Sequence, residues 1–257
     1  MAIPITIAVV GRKGGSGKTT TALNLAGALT EDGQSVLLID LDPQASLTRL
    51  LLGEMVAPGA GIGQRILEPQ RGLDGLVQNG RGGQYLLPGD RSTETAAITL
   101  SDSPTGPLRL RKLLRDLVGY DAIVIDTPPT LGFALNSALL AASVAVLPTL
   151  LAQQDLDALA DTLAVREELM ELGVADRIVI VPGALRQDNN DLAALSLLHE
   201  MYGDAVARPV PQSVSVKYGL NQGVAVAQID ARGAAASAYR ELAAQVTATG
   251  ESELTHA

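Results

Sequence analysis

Runs of consecutive apolar residues alternate with helical patterns along most of the chain. The runs are rich in Val, Ile and Leu with little polar alternation, which is typical of strands buried on both faces of a parallel sheet. This alternation predicts an α/β fold with a doubly wound, mostly parallel sheet flanked by helices, whose ligands bind at the carboxyl ends of the strands. The predicted strands are Ile3–Val10, Ser35–Ile39, Ala122–Ile125, Val144–Leu147 and Arg177–Val181. The predicted helices are Thr19–Glu31, Leu108–Leu117, Leu135–Ala142, Leu156–Leu172 and Asn190–Tyr202.

Two parts of the chain depart from this rhythm. Residues 53–107 are rich in Gly and Pro, and we predict a loop-rich insertion of short elements with one apolar piece at Tyr85–Leu87. Residues 248–257 are polar and lack periodicity, which predicts a flexible tail. The rest predicts a single domain over residues 1–247.

Composition excludes several kinds of site. The 257 residues include no Cys, so disulfides, thiolate zinc sites, iron–sulfur clusters and Cys nucleophiles are absent, as suits a cytoplasmic protein. Aromatic residues make up only 2%, which disfavours stacking platforms for single-stranded nucleic acid.

One uncharged stretch of the chain has the length of a membrane span. No charged side chain lies between Thr127 and Gln154, and the stretch is long enough to cross a bilayer. Three prolines and Asn136 divide it into a loop, a short helix and a strand, which predicts a buried core segment. The first residues also lack the basic start of a targeting segment, so we expect no membrane association.

Acidic residues are concentrated in one region. The chain carries 19 Lys and Arg against 28 Asp and Glu, a net charge of −9, whereas nucleic-acid-binding proteins are usually basic. Residues 150–207 hold 11 acidic and 3 basic residues, so the remainder is nearly neutral. This predicts an acidic helix face that nucleic acid would avoid, and its residues are Asp155, Asp157, Asp161, Glu167, Glu168 and Glu171.

The strongest motif is the run GRKGGSGKTT at Gly11–Thr20, between a predicted strand and a predicted helix. Its glycines allow a tight turn whose N–H groups point at one anion, and the helix adds its positive end. Lys18 can reach the β- and γ-phosphates, and the Thr19 hydroxyl can bind Mg²⁺. The predicted nucleotide-binding residues are Lys13, Gly14, Gly15, Ser16, Gly17, Lys18, Thr19 and Thr20.

The loop carries a second lysine and lacks the first glycine of the common phosphate-loop motif, because Arg12 occupies that position. At about 8 Å, Lys13 and Lys18 would repel by roughly 2 kcal/mol in a medium of dielectric about 20. A nucleoside triphosphate reverses the sign of that interaction, so the pair favours such a ligand.

Carboxylates follow two of the predicted strands. Asp40 and Asp42 lie in the sequence DLDPQ, directly after a buried strand, where an acidic residue can hold the attacking water or the Mg²⁺ shell. Asp126 ends the strand of the sequence DAIVIDTPP. A buried carboxylate without a cationic partner is costly, which favours Mg²⁺ as its partner.

Together these motifs resemble those of the deviant Walker A ATPases, the ParA/MinD group of P-loop proteins. The resemblance implies that Lys13 reaches across a homodimer interface to the partner's phosphates, so that two ATP molecules are sandwiched. It also implies that Asp42 orients the water, that Asp40 supports the site, and that Thr19 and Asp126 hold Mg²⁺. By the same resemblance Pro211 contacts the adenine, and Lys13, Lys18, Asp40 and Asp42 form the catalytic set.

Within this group the sequence is most similar to short ParA/Soj-type partition ATPases. Such an ATPase, with weak intrinsic activity, segregates chromosome or plasmid DNA on the nucleoid. It binds DNA non-specifically as the ATP-bound dimer and is released when a ParB-like partner stimulates hydrolysis. Two alternatives stay open: a related ATPase that positions a protein cargo, and a P-loop phosphotransferase acting on a small molecule. The candidate DNA-binding residues are Arg186, Lys217 and Arg240.

Overall fold

The five predicted apolar runs belong to one seven-stranded sheet. The structure, a computed structural model, describes residues 3–185 and 189–248. In chain order the strands are β1 (Ile5–Val9), β2 (Val36–Asp40), β3 (Gln78–Asn79), β4 (Tyr85–Leu87), β5 (Ala122–Asp126), β6 (Val144–Thr149) and β7 (Arg177–Pro182). Across the sheet the order is β3-β4-β2-β5-β1-β6-β7, and every neighbouring pair is parallel except β3 with β4.

Helices cover both faces of the sheet and confirm the predicted doubly wound fold. One hydrophobic core contains residues of four helices between Leu108 and Tyr202, and the other lies between the sheet and the helices Lys18–Glu31 and Ala234–Thr247. In chain order the α-helices are α1 (Lys18–Glu31), α2 (Ser46–Leu52), α3 (Ile62–Leu67), α4 (Ser92–Thr99), α5 (Leu108–Arg115), α6 (Phe133–Ala141), α7 (Gln153–Glu168), α8 (Asn189–Tyr202), α9 (Val214–Gln222) and α10 (Ala234–Thr247). Short 3₁₀ helices lie at Pro69–Arg71, Met170–Leu172, Gly203–Ala205 and Val226–Gln228.

The register of the central strands brings the predicted acidic residues together. Asp40 at the end of β2 is the register partner of Asp126 at the end of β5, and Val9 of β1 is opposite Asp126 on the other side. Because these strands are parallel, their carboxyl ends meet at one edge of the sheet. The loop between β1 and α1 begins at this same edge.

Residues 53–107 contribute to the sheet and its core. The apolar piece Tyr85–Leu87 is β4, which pairs with β2 through Leu37–Tyr85 and Ile39–Leu87. Ile62, Ile66 and other apolar side chains of this segment join the core on the α5 face. The elements are short, as predicted, but they extend the central sheet.

The uncharged stretch at 127–154 forms α6 and β6, and β6 is buried along its whole length. In the parts of the chain that the structure describes, no helix is long and apolar enough to cross a membrane.

Candidate nucleotide-binding site

The loop between β1 and α1 has the backbone of an anion-binding turn. Gly15 and Gly17 have φ of 79° and 92°, a region that L-residues with side chains rarely adopt. Gly17 is the N-cap of α1, and no side chain caps this helix end. The first N–H groups of α1 therefore remain available to an anion at the positive end of the helix dipole.

Lys18 is the first residue of α1, directly after the loop. Its side chain is buried, at 6% exposure, and its Nζ donates a hydrogen bond of 2.8 Å to the carbonyl oxygen of Lys13. Burial lowers the pKa of Lys18, and the negative charges of Asp126 and Asp42 oppose that shift. The ammonium thus faces the acidic ends of β2 and β5 from within the loop.

Thr19 and Asp126 form a hydroxyl–carboxylate pair. Thr19 Oγ1 donates to Asp126 Oδ2 at 2.7 Å, whereas Oδ1 of this buried carboxylate has no hydrogen-bond partner among the described residues. Burial raises the pKa of Asp126 well above its ordinary value, and the negative charge of Asp40 raises it further. A buried oxygen without a partner, beside a threonine hydroxyl, is a donor set that fits Mg²⁺.

Asp40 supports the turn that follows β2. It is fully buried and accepts hydrogen bonds from Thr48 N at 2.8 Å, Thr48 Oγ1 at 2.7 Å and Asp42 N at 3.0 Å. Burial raises the pKa of Asp40 to about 6, and the hydrogen bonds from Thr48 and Asp42 limit this rise. Asp40 therefore fixes the start of α2 and the position of Asp42.

Asp42 lines an open pocket of about 270 Å³ beside the loop, which Lys18, Thr19 and Thr127 also line. Its Oδ1 accepts a hydrogen bond of 2.8 Å from the Gln44 backbone N–H, which orients the carboxylate. The structure thus brings a lysine, a threonine and a carboxylate to one pocket at the carboxyl ends of the strands.

Helix α7 holds the opposite side of the loop. Lys13 Nζ donates to Asp155 Oδ2 at 2.9 Å, and Asp155 is only 3% exposed. Arg12 forms an ion pair with Asp161, and its backbone N–H donates to Thr162 Oγ1 at 3.2 Å. The expectation that Asp155 belongs to an exposed acidic face is therefore wrong, because its carboxylate is buried and paired with a cation of the loop.

A second pocket, of about 340 Å³, lies on the other side of the loop. Pro211 lines it, as do Lys217 and the ring of Tyr239. Tyr239 is buried, which raises its pKa to about 12 and keeps the phenol neutral. Sequence reasoning selected Pro211 but gave no reason to expect Tyr239 here, because an isolated tyrosine on a helix carries no motif.

The three candidate DNA-binding residues differ in their surroundings. Arg240 donates to both carboxylate oxygens of Glu31, from Nε at 3.0 Å and from Nη2 at 3.2 Å. Lys217 lines the second pocket rather than a separate basic surface. Arg186 lies outside the described residues.

Comparison with known proteins identifies the family. The model of the AAA domain family matches residues 5–173. The chromosome-partitioning ATPase Soj of Thermus thermophilus is 36% identical over 249 residues, which cover 94% of this chain and 95% of that protein. The maintenance of carboxysome distribution protein A of Gloeothece citriformis is 28% identical over 234 residues, which cover 87% of this chain and 90% of that protein.

A solved structure agrees with these matches. The ATP complex of a McdA variant from Cyanothece superposes with a TM-score of 0.85 at 25% identity, covering 96% of this chain and 97% of that chain. The fold, the loop with its two lysines and the relatives lead to one assignment. The chain belongs to the ParA/MinD family of partition ATPases.

Proposed function

We propose that this chain is an ATP-dependent dimerising switch that segregates chromosome or plasmid DNA. The observation that carries the proposal is the convergence of Lys18, Thr19, Asp42 and Asp126 around one helix N-terminus. Phosphates bound there contact backbone N–H groups and a buried ammonium. These electrostatic interactions are stronger in a site from which water is partly excluded than in bulk water. The similarity to Soj of Thermus thermophilus supports the choice of DNA as cargo.

Each residue has a separate part in hydrolysis. Thr19 and Asp126 would hold Mg²⁺, which would neutralise part of the phosphate charge. Lys18 draws the same phosphates into the loop, and Asp42 orients the water for attack on the γ-phosphate. Asp40 acts through Asp42 by fixing its turn. Intrinsic ATP hydrolysis is slow because Asp42 alone does not fully position the attacking water, and a partner protein must help to position it.

Lys13 connects ATP to dimerisation. In the structure its ammonium is paired with Asp155 of the same chain. In the homodimer it reaches the phosphates of the partner, so that two ATP molecules lie at the interface. On dimerisation the ammonium of Lys13 therefore exchanges the carboxylate of Asp155 for the partner's phosphates. In the monomer the ion pair with Asp155 keeps this ammonium paired.

The ATP-bound dimer binds DNA without sequence preference, in the cytoplasm on the nucleoid, until a ParB-like partner stimulates hydrolysis. DNA binding measured with ATP, with ADP and without nucleotide tests this directly. We expect binding only with ATP and Mg²⁺, weakening steeply as salt rises. Equal affinity in all three states, or no binding with ATP at low salt, would contradict the DNA role.

A second candidate is the positioning of a protein cargo, which the similarity to the carboxysome distribution protein favours. Both candidates need the ATP-dependent dimer, so a cellular test separates them. Deletion of the gene should cause loss of plasmid or chromosome copies if DNA is the cargo. If the cargo is a protein particle, DNA inheritance stays normal and the particles lose their even spacing.

A further inference from the structure

We propose that Lys217 is a ligand of the nucleoside monophosphate half of the bound nucleotide, and therefore a nucleotide-binding residue instead of a DNA-binding one. The inference rests on the proposed function in one respect, namely that the ligand is a nucleotide. It assigns to α9 a contact that the phosphate-loop motif does not include.

The first observation is that the two pockets beside the phosphate loop adjoin each other along its wall. Gly15, Gly17 and Thr20 line both of them. The pocket that holds Lys18 and Asp42 receives the β- and γ-phosphates in the proposed function. The α-phosphate, ribose and base then extend past Thr20 into the second pocket, whose volume of about 340 Å³ lies within the range of small-molecule sites.

The second observation is the lining of that pocket. Its walls are mainly backbone and apolar side chains such as Val181, Val210 and Pro211, and among the lining residues that the structure describes Lys217 is the one with a charged side chain. The neutral ring of Tyr239 also lines it. Such an apolar pocket with a single cation suits a flat base attached to an anion better than it suits a DNA backbone, which needs a wide basic surface.

The third observation is that Lys217 has no competing partner in the described part of the chain. Within residues 3–185 and 189–248 the structure gives its ammonium no ion pair and no hydrogen bond, and the side chain is exposed. Arg240, by comparison, is held by Glu31. An unpaired ammonium at the rim of a ligand pocket gains from an anionic ligand without first losing an internal contact.

The start of α9 gives this lysine a fixed position. Ser213 is the N-cap, and its Oγ accepts a hydrogen bond of 3.4 Å from the Val216 N–H. Lys217 follows one residue later, in the first turn, on the side that carries Val216 into the pocket. Its reach is therefore set by a capped helix and not by a free loop.

Calorimetric titration with ATP, ADP and inorganic pyrophosphate tests the proposal. We expect Lys217→Ala to weaken ATP and ADP binding about equally, by roughly 5- to 30-fold, because both contain the nucleoside monophosphate half. Pyrophosphate, which matches the β- and γ-phosphates and lacks both the α-phosphate and the nucleoside, should bind as it does to the wild type. Lys217→Arg should restore most of the affinity. Lys112→Ala, which removes another exposed lysine, on α5, is the matched control and should change none of the three.

Other outcomes overturn the proposal in distinguishable ways. Unchanged ATP and ADP affinity in Lys217→Ala, with weaker DNA binding at saturating ATP, would return this residue to the DNA interface. An equal loss for pyrophosphate would show a long-range effect of charge in place of a local contact. A wild type that binds no ATP would overturn the proposed function itself.

Discussion

Burial changes the pKa of individual side chains beside the phosphate loop. Asp40 and Asp126 are neighbours across β2 and β5, and burial raises the pKa of both carboxyl groups. Two buried carboxyl groups at the same strand ends are costly when both are ionised, because each disfavours the charge of the other. A cation at this position relieves that cost, so the pair prepares the edge of the sheet for Mg²⁺.

The buried carboxyl of Asp40 predicts a pH-dependent stability. The pKa of Asp40 is about 6 in the folded chain, against an ordinary value of 3.8. Between these values the folded state keeps a proton that the unfolded state releases, so the free energy of unfolding falls as pH rises. One pKa unit corresponds to 1.36 kcal/mol, so the raised pKa of Asp40 contributes about 3 kcal/mol to the free energy of unfolding. This contribution is complete below about pH 4 and lost above about pH 6.

Denaturant unfolding between pH 4 and 7, without nucleotide or magnesium, measures this contribution. The Asp40→Asn variant lacks the titrating group, so its stability should depend less steeply on pH than that of the wild type. The gap between the two curves should change by about 3 kcal/mol over this range. Two parallel curves would show that Asp40 does not titrate there.

The pair of Lys13 and Asp155 predicts the effect of a neutral substitution. Asp155→Asn preserves side-chain size but removes the charge that holds Lys13, so ATP-dependent dimerisation should become roughly 3- to 10-fold tighter, which corresponds to a difference of about 1 kcal/mol between a charged and a neutral hydrogen bond. Sedimentation at increasing protein concentration with ATP measures this change. Asp157→Asn, an exposed aspartate on the same helix, is the control and should dimerise like the wild type. Weaker dimerisation of Asp155→Asn would mean that Asp155 supports the dimer.

At the scale of elements, α1 packs unusually close to the segment that follows α9. A Cβ added at Gly27 would lie 2.2 Å from the Cβ of Ala225, which is far inside contact distance. Asn24 of the same helix accepts a hydrogen bond of 2.6 Å from the backbone N–H of Val226. Residue 27 has room only for a glycine because the methyl group of Ala225 occupies the place of a Cβ, and this contact connects the helix that follows the phosphate loop to the segment after α9.

Gly27→Ala should therefore destabilise the protein although alanine favours helices. Overpacking of this kind costs about 1–3 kcal/mol, which exceeds the gain of up to about 1 kcal/mol in helix propensity. Thermal or denaturant unfolding gives the difference. In Gly183→Ala the new Cβ meets only ordinary contacts, at 3.8 Å from the carbonyl oxygen of Thr149, so this control should unfold close to the wild type. An unchanged or higher stability of Gly27→Ala would refute the close contact.

The elements that the sequence predicted well are those with a local signal. The five long apolar runs are strands within one to two residues of their predicted ends, and the glycines of the phosphate loop have the expected positive φ. Strand β4 has only three residues, and its membership of the sheet depends on pairing with β2. The partner of Lys13 lies 142 residues away, so no local pattern could reveal that Asp155 is buried.

For the whole molecule, the net charge of −9 matters less than where cations are free. Several exposed arginines are neutralised by a carboxylate of their own surface, and Arg240 with Glu31 is an example that joins α10 to α1. Exposed pairs of this kind add little stability, so they exchange partners at small cost. A DNA phosphate can compete with Glu31 for the same guanidinium.

This competition predicts opposite effects for the two members of the pair. At saturating ATP, Glu31→Gln should strengthen DNA binding about 2- to 5-fold by releasing Arg240, and Arg240→Ala should weaken it. The slope of log affinity against log salt should become shallower by about 2 in Arg240→Ala, because a dimer loses two phosphate contacts. Glu68→Gln, which breaks the surface pair with Arg71, is the control and should leave DNA binding unchanged. Unaltered affinity in both variants would exclude Arg240 from the interface.

The hydrogen bond from Lys18 to the carbonyl oxygen of Lys13 gives the empty loop a resting state of its own. An arriving phosphate competes for the same ammonium, so filling the site breaks a bond made to the backbone of the second lysine. The carbonyl oxygen of Lys13 thereby links phosphate binding in the loop to the position of Lys13. Phosphate binding at Lys18 therefore directly affects Lys13, the residue that we propose to contact the partner. The two lysines are only five residues apart in the chain.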